Sequence, residues 1–182
     1  MALKQIKNKI ASTKKTGQVT KAMEAVSAVK MRKTQAQALE SRVFVHTAMQ
    51  ILQTLSRASK DISHPLLETS AHTDAPVLLV VITSDKGLAG SVNSAVLKQA
   101  SSYLEANAHV HLIAVGKKAN EFAHARGIKT AVTFTNMRDD VSFDDVQKIT
   151  NYVLDGFTTG AYRQVAVVYQ NFLNTFEQQP VL

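Results

Sequence analysis

The chain has 182 residues, 45% of them apolar, with no Cys, no Trp and a formal net charge of +7 at pH 7. That composition fits one folded domain, with or without an extension, and excludes disulfides, Cys-ligated metals and wholesale disorder. The charge is uneven: residues 1–33 hold nine Lys or Arg against one acid, Glu24, and the remainder is nearly balanced. A one-signed segment of this kind meets something acidic: nucleic acid, an anionic membrane or an acidic protein surface.

From Ala2 to about Ser59 there is no Pro and a single Gly, Gly17, and good helix formers dominate. Apolar residues recur at threes and fours: Leu3, Ile6 and Ile10, then Val19, Met23 and Val26, later Leu39, Met49, Leu52 and Leu55. That spacing predicts one helix, about 85 Å long at 1.5 Å per residue. A helix of that length projects from any compact domain this chain can build. Its middle carries small or flexible side chains, Ala11, Gly17, Ala22, Ala25, Ala28 and Met31, which let another helix approach closely. A partner helix is expected, because one amphipathic helix alone buries nothing. The N-terminus has no apolar core of a secretory signal, and its basic pattern runs on unbroken, so it reads as structure.

His64-Pro65 ends the helical region, and a polar connection runs to Pro76. Val77 to Thr83 is a continuous apolar run, the mark of a strand buried on both faces in a parallel sheet. It is too short to span a bilayer, which takes roughly 20 residues. Ser84 to Gly90 reads as a turn, and Ser91 as the N-cap of a helix to about Ala106. Val110–Val115 reads as a second strand, Gly116 to Arg126 as a helix closed by Gly127, and 130–134 as a short strand. Asp144 to Phe157 reads as a helix closed near Gly160, and Gln164–Tyr169 as a last strand. Strands alternating with helices across short loops predict a doubly wound, Rossmann-like α/β domain. The expected division is 1–60 long helix, 61–76 linker and 77–182 α/β domain. No helix able to pair with 1–59 follows, so a partner helix is expected from outside these residues.

Two stretches carry a family likeness. Ile6 to Lys30, with Ala11-Ser12, Val19-Thr20-Lys21-Ala22-Met23, Val26 and Lys30, is similar to the N-terminal helix of the γ subunits of F-type ATP synthases. Ser84-Asp-Lys-Gly-Leu-Ala-Gly-Ser-Val-Asn93 resembles that family's glycine-containing signature. Order and spacing match too, and the likeness covers all 182 residues. It differs in two ways: Ala89 stands where the family commonly has Cys, and the plant-type regulatory Cys pair is absent. The family also runs on for about a hundred further residues, through a long C-terminal helix. The resemblance implies an antiparallel coiled coil turning inside a ring of three α and three β subunits. It also implies an α/β domain seated on the membrane c-ring beside subunit ε, at the cytoplasmic face of a bacterial inner membrane. It implies mechanical transmission of torque, with no catalytic site, no cofactor and no direct small-molecule ligand. By the same resemblance the subunit contacts fall on Lys9, Thr20, Lys21, Met23, Glu24, Lys30, Arg32 and Lys33, and on Asp85, Lys86, Gly87 and Gly90 of the turn.

The residues themselves offer rival chemistries. The Asp85–Gly90 turn follows a buried strand and opens a helix, where α/β folds often bind phosphate. Its two glycines stand three apart, however, and no P-loop pattern occurs, so a tight turn is expected instead of a nucleotide site. The six His are scattered and assemble no metal site. Asp139, Asp140, Asp144 and Asp145 bracket a helix start, where acids favour the helix dipole, so capping is expected rather than Mg²⁺ binding. The basic helix leaves two alternatives to the rotor reading: a nucleic-acid-binding α/β protein with a basic arm, and a phosphate-dependent enzyme. Against the first, the helix has no aromatic residue before Phe44 to stack on bases.

Overall fold

The computed structural model describes residues 2–58, 64–66, 72–137 and 141–182. The chain divides into two compact units, residues 1–62 and 63–182.

The first unit is a single helix, α1 (Ala2–Ala58), 57 residues long. Its hydroxyls bond back along the helix, as Thr16 does to the Ser12 carbonyl at 3.0 Å and Thr20 to the Thr16 carbonyl at 2.9 Å. That leaves cations and apolar side chains facing outward. Leu3, Ile6, Ile10, Val19, Met23, Val26, Leu39, Met49, Leu52 and Leu55 are all exposed. With so little of α1 buried, its intrinsic propensity is left to hold the helix.

The second unit is an α/β sandwich. Its elements are β1 (Val77–Ile82), α2 (Val92–Ala106), β2 (Val110–Val115), α3 (Lys117–Ala125), β3 (Thr130–Phe134), α4 (Phe143–Thr158), β4 (Gln164–Phe172) and β5 (Gln178–Val181). The strand order is β3-β2-β1-β4-β5. The first four strands are parallel, with Val77 opposite Val110 on one side and Gln164 on the other; β5 returns antiparallel on β4. Alternate residues of β1 face opposite ways, so one apolar run fills two cores. Leu79 and Val81 pack with Val96 and Ala100 of α2 and Ala119 and Ala123 of α3. Leu78 and Val80 pack with Ile113 and Tyr162 against Ile149 and Val153 of α4. Helices on both faces make the domain doubly wound, as the alternation predicted.

Four expectations need correction in whole or in part. The last strand runs on to Phe172 instead of ending at Tyr169. Strand β5 is absent from the sequence reading, because Gln178-Gln-Pro-Val181 is short, half polar and contains Pro; as an edge strand it tolerates Pro180 opposite Gln170. Ser91 holds the N-cap position of α2, as read, and its carbonyl accepts from Ala95 at 2.9 Å, but its side chain takes no amide. Helix α4 begins one residue early, at Phe143, where Ser142 and Asp145 form a reciprocal capping box. Asp145 therefore does cap; Asp139 and Asp140 lie outside the described residues.

The candidate docking turn and the exposed face of the long helix

The turn after β1 is built to plug a neighbouring helix. Successive side-chain and main-chain acceptors of Thr83, Ser84 and Asp85 take the first three amides of α3. Asp85 Oδ1 accepts from the Lys117 N–H at 2.9 Å, the Ser84 carbonyl from Lys118 at 3.3 Å, and Thr83 Oγ1 from Ala119 at 2.8 Å. These are the groups a helix N-terminus otherwise offers to a phosphate. The second carboxylate oxygen of Asp85 accepts from the Met137 N–H at 3.0 Å, so one side chain ties together the loops that follow β1, β2 and β3. Gly116 makes the approach possible: at φ 94° it sits where a Cβ would collide with the Thr83 carbonyl.

The base of the turn is held from the other side. The Ser84 N–H donates to Asn93 Oδ1 at 3.0 Å, Asn93 Nδ2 donates to Ser84 Oγ at 2.8 Å, and Ser84 Oγ donates to the Lys86 carbonyl at 2.7 Å. Sequence reasoning singled out Gly87 and Gly90 as the residues that bend the chain. Gly90 does turn left-handed, at φ 59°, but the other left-handed residue is Leu88, at φ 60°. A Cβ at Gly87 would meet nothing within 4 Å. Leu88 is wholly exposed, at 103%. Leu88 belongs to the quoted signature, but no sequence rule gives a leucine a left-handed backbone.

Beside the turn, a cavity of about 500 Å³ opens between the ends of β1 and β2 and helix α4, lined by Ile82, Val115, Met137, Val146 and Ile149 among others. The polar groups on its wall are spent internally: Thr83 and Asp85 as above, and Thr150 on the Val146 carbonyl at 3.0 Å. Among the described residues no three His, Asp or Glu gather into a metal-holding group.

The other expected contact residues all lie on α1, and all are exposed. At about 100° per residue, Lys9, Thr20, Met23, Glu24 and Lys30 fall within one face of roughly 120°, while Lys21, Arg32 and Lys33 project elsewhere. Thr20, with its hydroxyl turned back to the helix, presents its methyl beside Met23, which is 57% exposed. The strip is apolar at its centre and charged at its ends.

The chain thus joins in sequence a long helix with its apolar residues outward and an α/β domain in which the Asp85 carboxylate takes the first amide of α3. A family model described as ATP synthase matches residues 2–182, and the chain belongs to that family. It is 35% identical over 182 residues to a protein named ATP synthase gamma chain from Pelotomaculum thermopropionicum, covering 100% of this chain and 63% of that one. It is also 35% identical over 181 residues to the gamma chain of Bdellovibrio bacteriovorus, covering 97% of this chain and 61% of the relative. The chain therefore spans somewhat over three-fifths of the length of these relatives. Among solved structures it resembles a chain of the Tetrahymena thermophila mitochondrial ATP synthase central stalk and c-ring, with TM-score 0.65, 29% identity, and coverage of 90% of this chain and 72% of that one. A chain from the Euglena gracilis mitochondrial ATP synthase rotor shares the fold, at TM-score 0.51 and 22% identity.

Proposed function

We propose that the chain works as the central-stalk rotor subunit of an F-type ATP synthase, carrying torque between a proton-driven membrane ring and a catalytic ring. The observation that carries this reading is α1: 57 residues of helix whose large apolar side chains are exposed from Leu3 to Leu55. Such a surface calls for partners along its length, and its cationic stretch through Lys33 calls for acidic ones. The partners are the α and β subunits around the shaft, and ε and the c-ring at the α/β domain. The site of work is peripheral, at the cytoplasmic face of the bacterial inner membrane. Residues 1–60 serve as shaft, 61–76 as linker and 77–182 as the seated domain.

The subunit's own role is mechanical. The first amides of α3 are taken by Asp85, Ser84 and Thr83, and nucleotide chemistry is assigned to the partners. Lys9, Thr20, Met23, Glu24 and Lys30 form the sliding strip, with Lys21, Arg32 and Lys33 around it; Asp85 to Gly90 forms the docking turn. Exposed ion pairs are worth about 0–1 kcal/mol, so cations on the shaft hold a partner without trapping it.

The test is co-purification. The tagged chain is expressed with α, β and ε of the same organism, and the complex is isolated at increasing salt. Stoichiometric recovery of α and β supports the rotor. Recovery of nucleic acid in their place, with strong salt dependence, would establish the basic-arm alternative.

A further inference from the structure

We propose that α4 is a flap: its C-terminal half is seated on the sheet, and its N-terminal half closes onto the apolar floor formed by the ends of β1 and β2. Phe143, Val146, Ile149, Val153 and Phe157 recur at threes and fours along α4. At about 100° per residue they fall within roughly 120° of the helix circumference. One continuous apolar stripe of this kind is made for burial along its whole length. The fold engages its two halves unequally.

The C-terminal half is interlocked with the domain. Val153 packs against the cluster of Leu78, Val80, Ile113 and Tyr162. The Tyr162 N–H donates to the Gly156 carbonyl at 3.1 Å, and the hydroxyls of Tyr152 and Tyr162 meet at 3.3 Å. Gly156 lies so near the Tyr162 ring that a Cβ would collide with it, and a Cβ at Gly160 would strike His72.

The N-terminal half stands off. Its first turn is held by its own capping box, Ser142 with Asp145. Phe143 is 78% exposed and Val146 47%. Val146 and Ile149 line one side of the cavity of about 500 Å³, and Ile82, Val115 and Met137 line the sheet side. Both walls are apolar and both belong to this chain, so bringing them together removes each from water. The junction between the halves is Thr150, whose hydroxyl bonds back to the Val146 carbonyl at 3.0 Å. A bond of that kind weakens a helix slightly and lets it bend. The occupant of the cavity is then α4 itself, entering with Val146.

The experiment is amide exchange on the full 182-residue chain, with rates corrected for neighbouring side chains. Val146→Lys puts a good helix former at an exposed site, but an ammonium resists entry into an apolar cavity. Amides 147–149 should exchange about tenfold faster than in the wild type, with 153–157 unchanged. Ile82→Thr, on the opposite wall, should accelerate the same three amides. The double variant should lose little more than the worse single one, because both changes remove one contact. Equal or slower exchange at 147–149 in Val146→Lys, the outcome of helix propensity alone, overturns the proposal. An Ile82→Thr chain that exchanges as the wild type there overturns it too. So does equal acceleration at 153–157 in Val146→Lys, since α4 then moves as one piece.

Discussion

Replacing Asp85 by Ala takes the acceptor away from two amides at once, those of Lys117 and Met137. An unsatisfied, partly buried N–H costs about 1–3 kcal/mol, and loss of the charge at the start of α3 adds about 0.3–1. Urea unfolding should show Asp85→Ala less stable by about 2 kcal/mol or more, with Asp85→Asn between it and wild type. An unchanged midpoint would mean that the carboxylate faces outward in solution, as a contact residue would. His111 makes a second prediction. Its ring meets Tyr162 edge-on at 5.7 Å. Burial first, then the charges of Lys129 and His109, hold its pKa below the ordinary 6.5. The unfolded chain then takes up a proton that the folded chain resists. Stability from this group is present above pH 6.5 and declines as pH falls through it. The urea midpoint should drop between pH 7.5 and 5.5, and by less in His111→Gln; an equal drop in both would acquit His111. Little of this was legible beforehand. The sequence marks Asp85 as notable, but the two amides it serves lie 32 and 52 residues away, and only the fold brings them near.

Helix α1 and strand β1 sit at opposite ends of what a sequence can declare about an element. Both are legible in the sequence, α1 from its propensity and spacing and β1 from its unbroken apolar run, because each is set by local composition. Strand β5 is not, since Gln178-Gln-Pro-Val181 becomes a strand only by pairing with β4. Burial separates α1 from β1 in stability. Val77 to Val81 are at most 3% exposed, whereas Ile6, Ile10, Val19 and Met23 are each more than half exposed. Helices without tertiary packing are marginal, and amides open at the cost of whatever buries them. Amide exchange in the isolated chain should therefore be slow in 77–81 and 164–168 and fast in 5–35. Equally slow exchange across 5–35 in a monomer would mean that something within the chain covers the helix, contrary to its exposure here.

At the scale of the whole molecule, the rotor reading asks that the shaft press on its partners without sticking, and Met23 tests that demand. Met23 lies on the strip with Thr20 and Glu24, uncharged and flexible, so it can slide against a partner without a directional bond. Met23→Lys puts an ammonium on the strip, facing acidic or carbonyl groups of the ring. A charge-assisted hydrogen bond there is worth about 1.5–3 kcal/mol. If the bond forms in one rotary position, it deepens that position and raises the barrier to leaving it. At about 1.4 kcal/mol per decade the step slows roughly 10- to 100-fold, less whatever neighbouring charges compensate. Since Met23 is exposed on α1, the substitution should leave the helicity of the isolated chain where the wild type has it. The change belongs in a full-length gamma chain, with assembly and ATP-driven proton pumping measured on the same membranes. Full assembly with weak pumping, worse in the cold, is the expected result. Reduced assembly would instead place Met23 in a helix–helix seam, where lysine disrupts packing. Normal assembly with normal pumping would take Met23 out of the sliding strip and leave the bearing to Thr20, Glu24 and the flanking lysines.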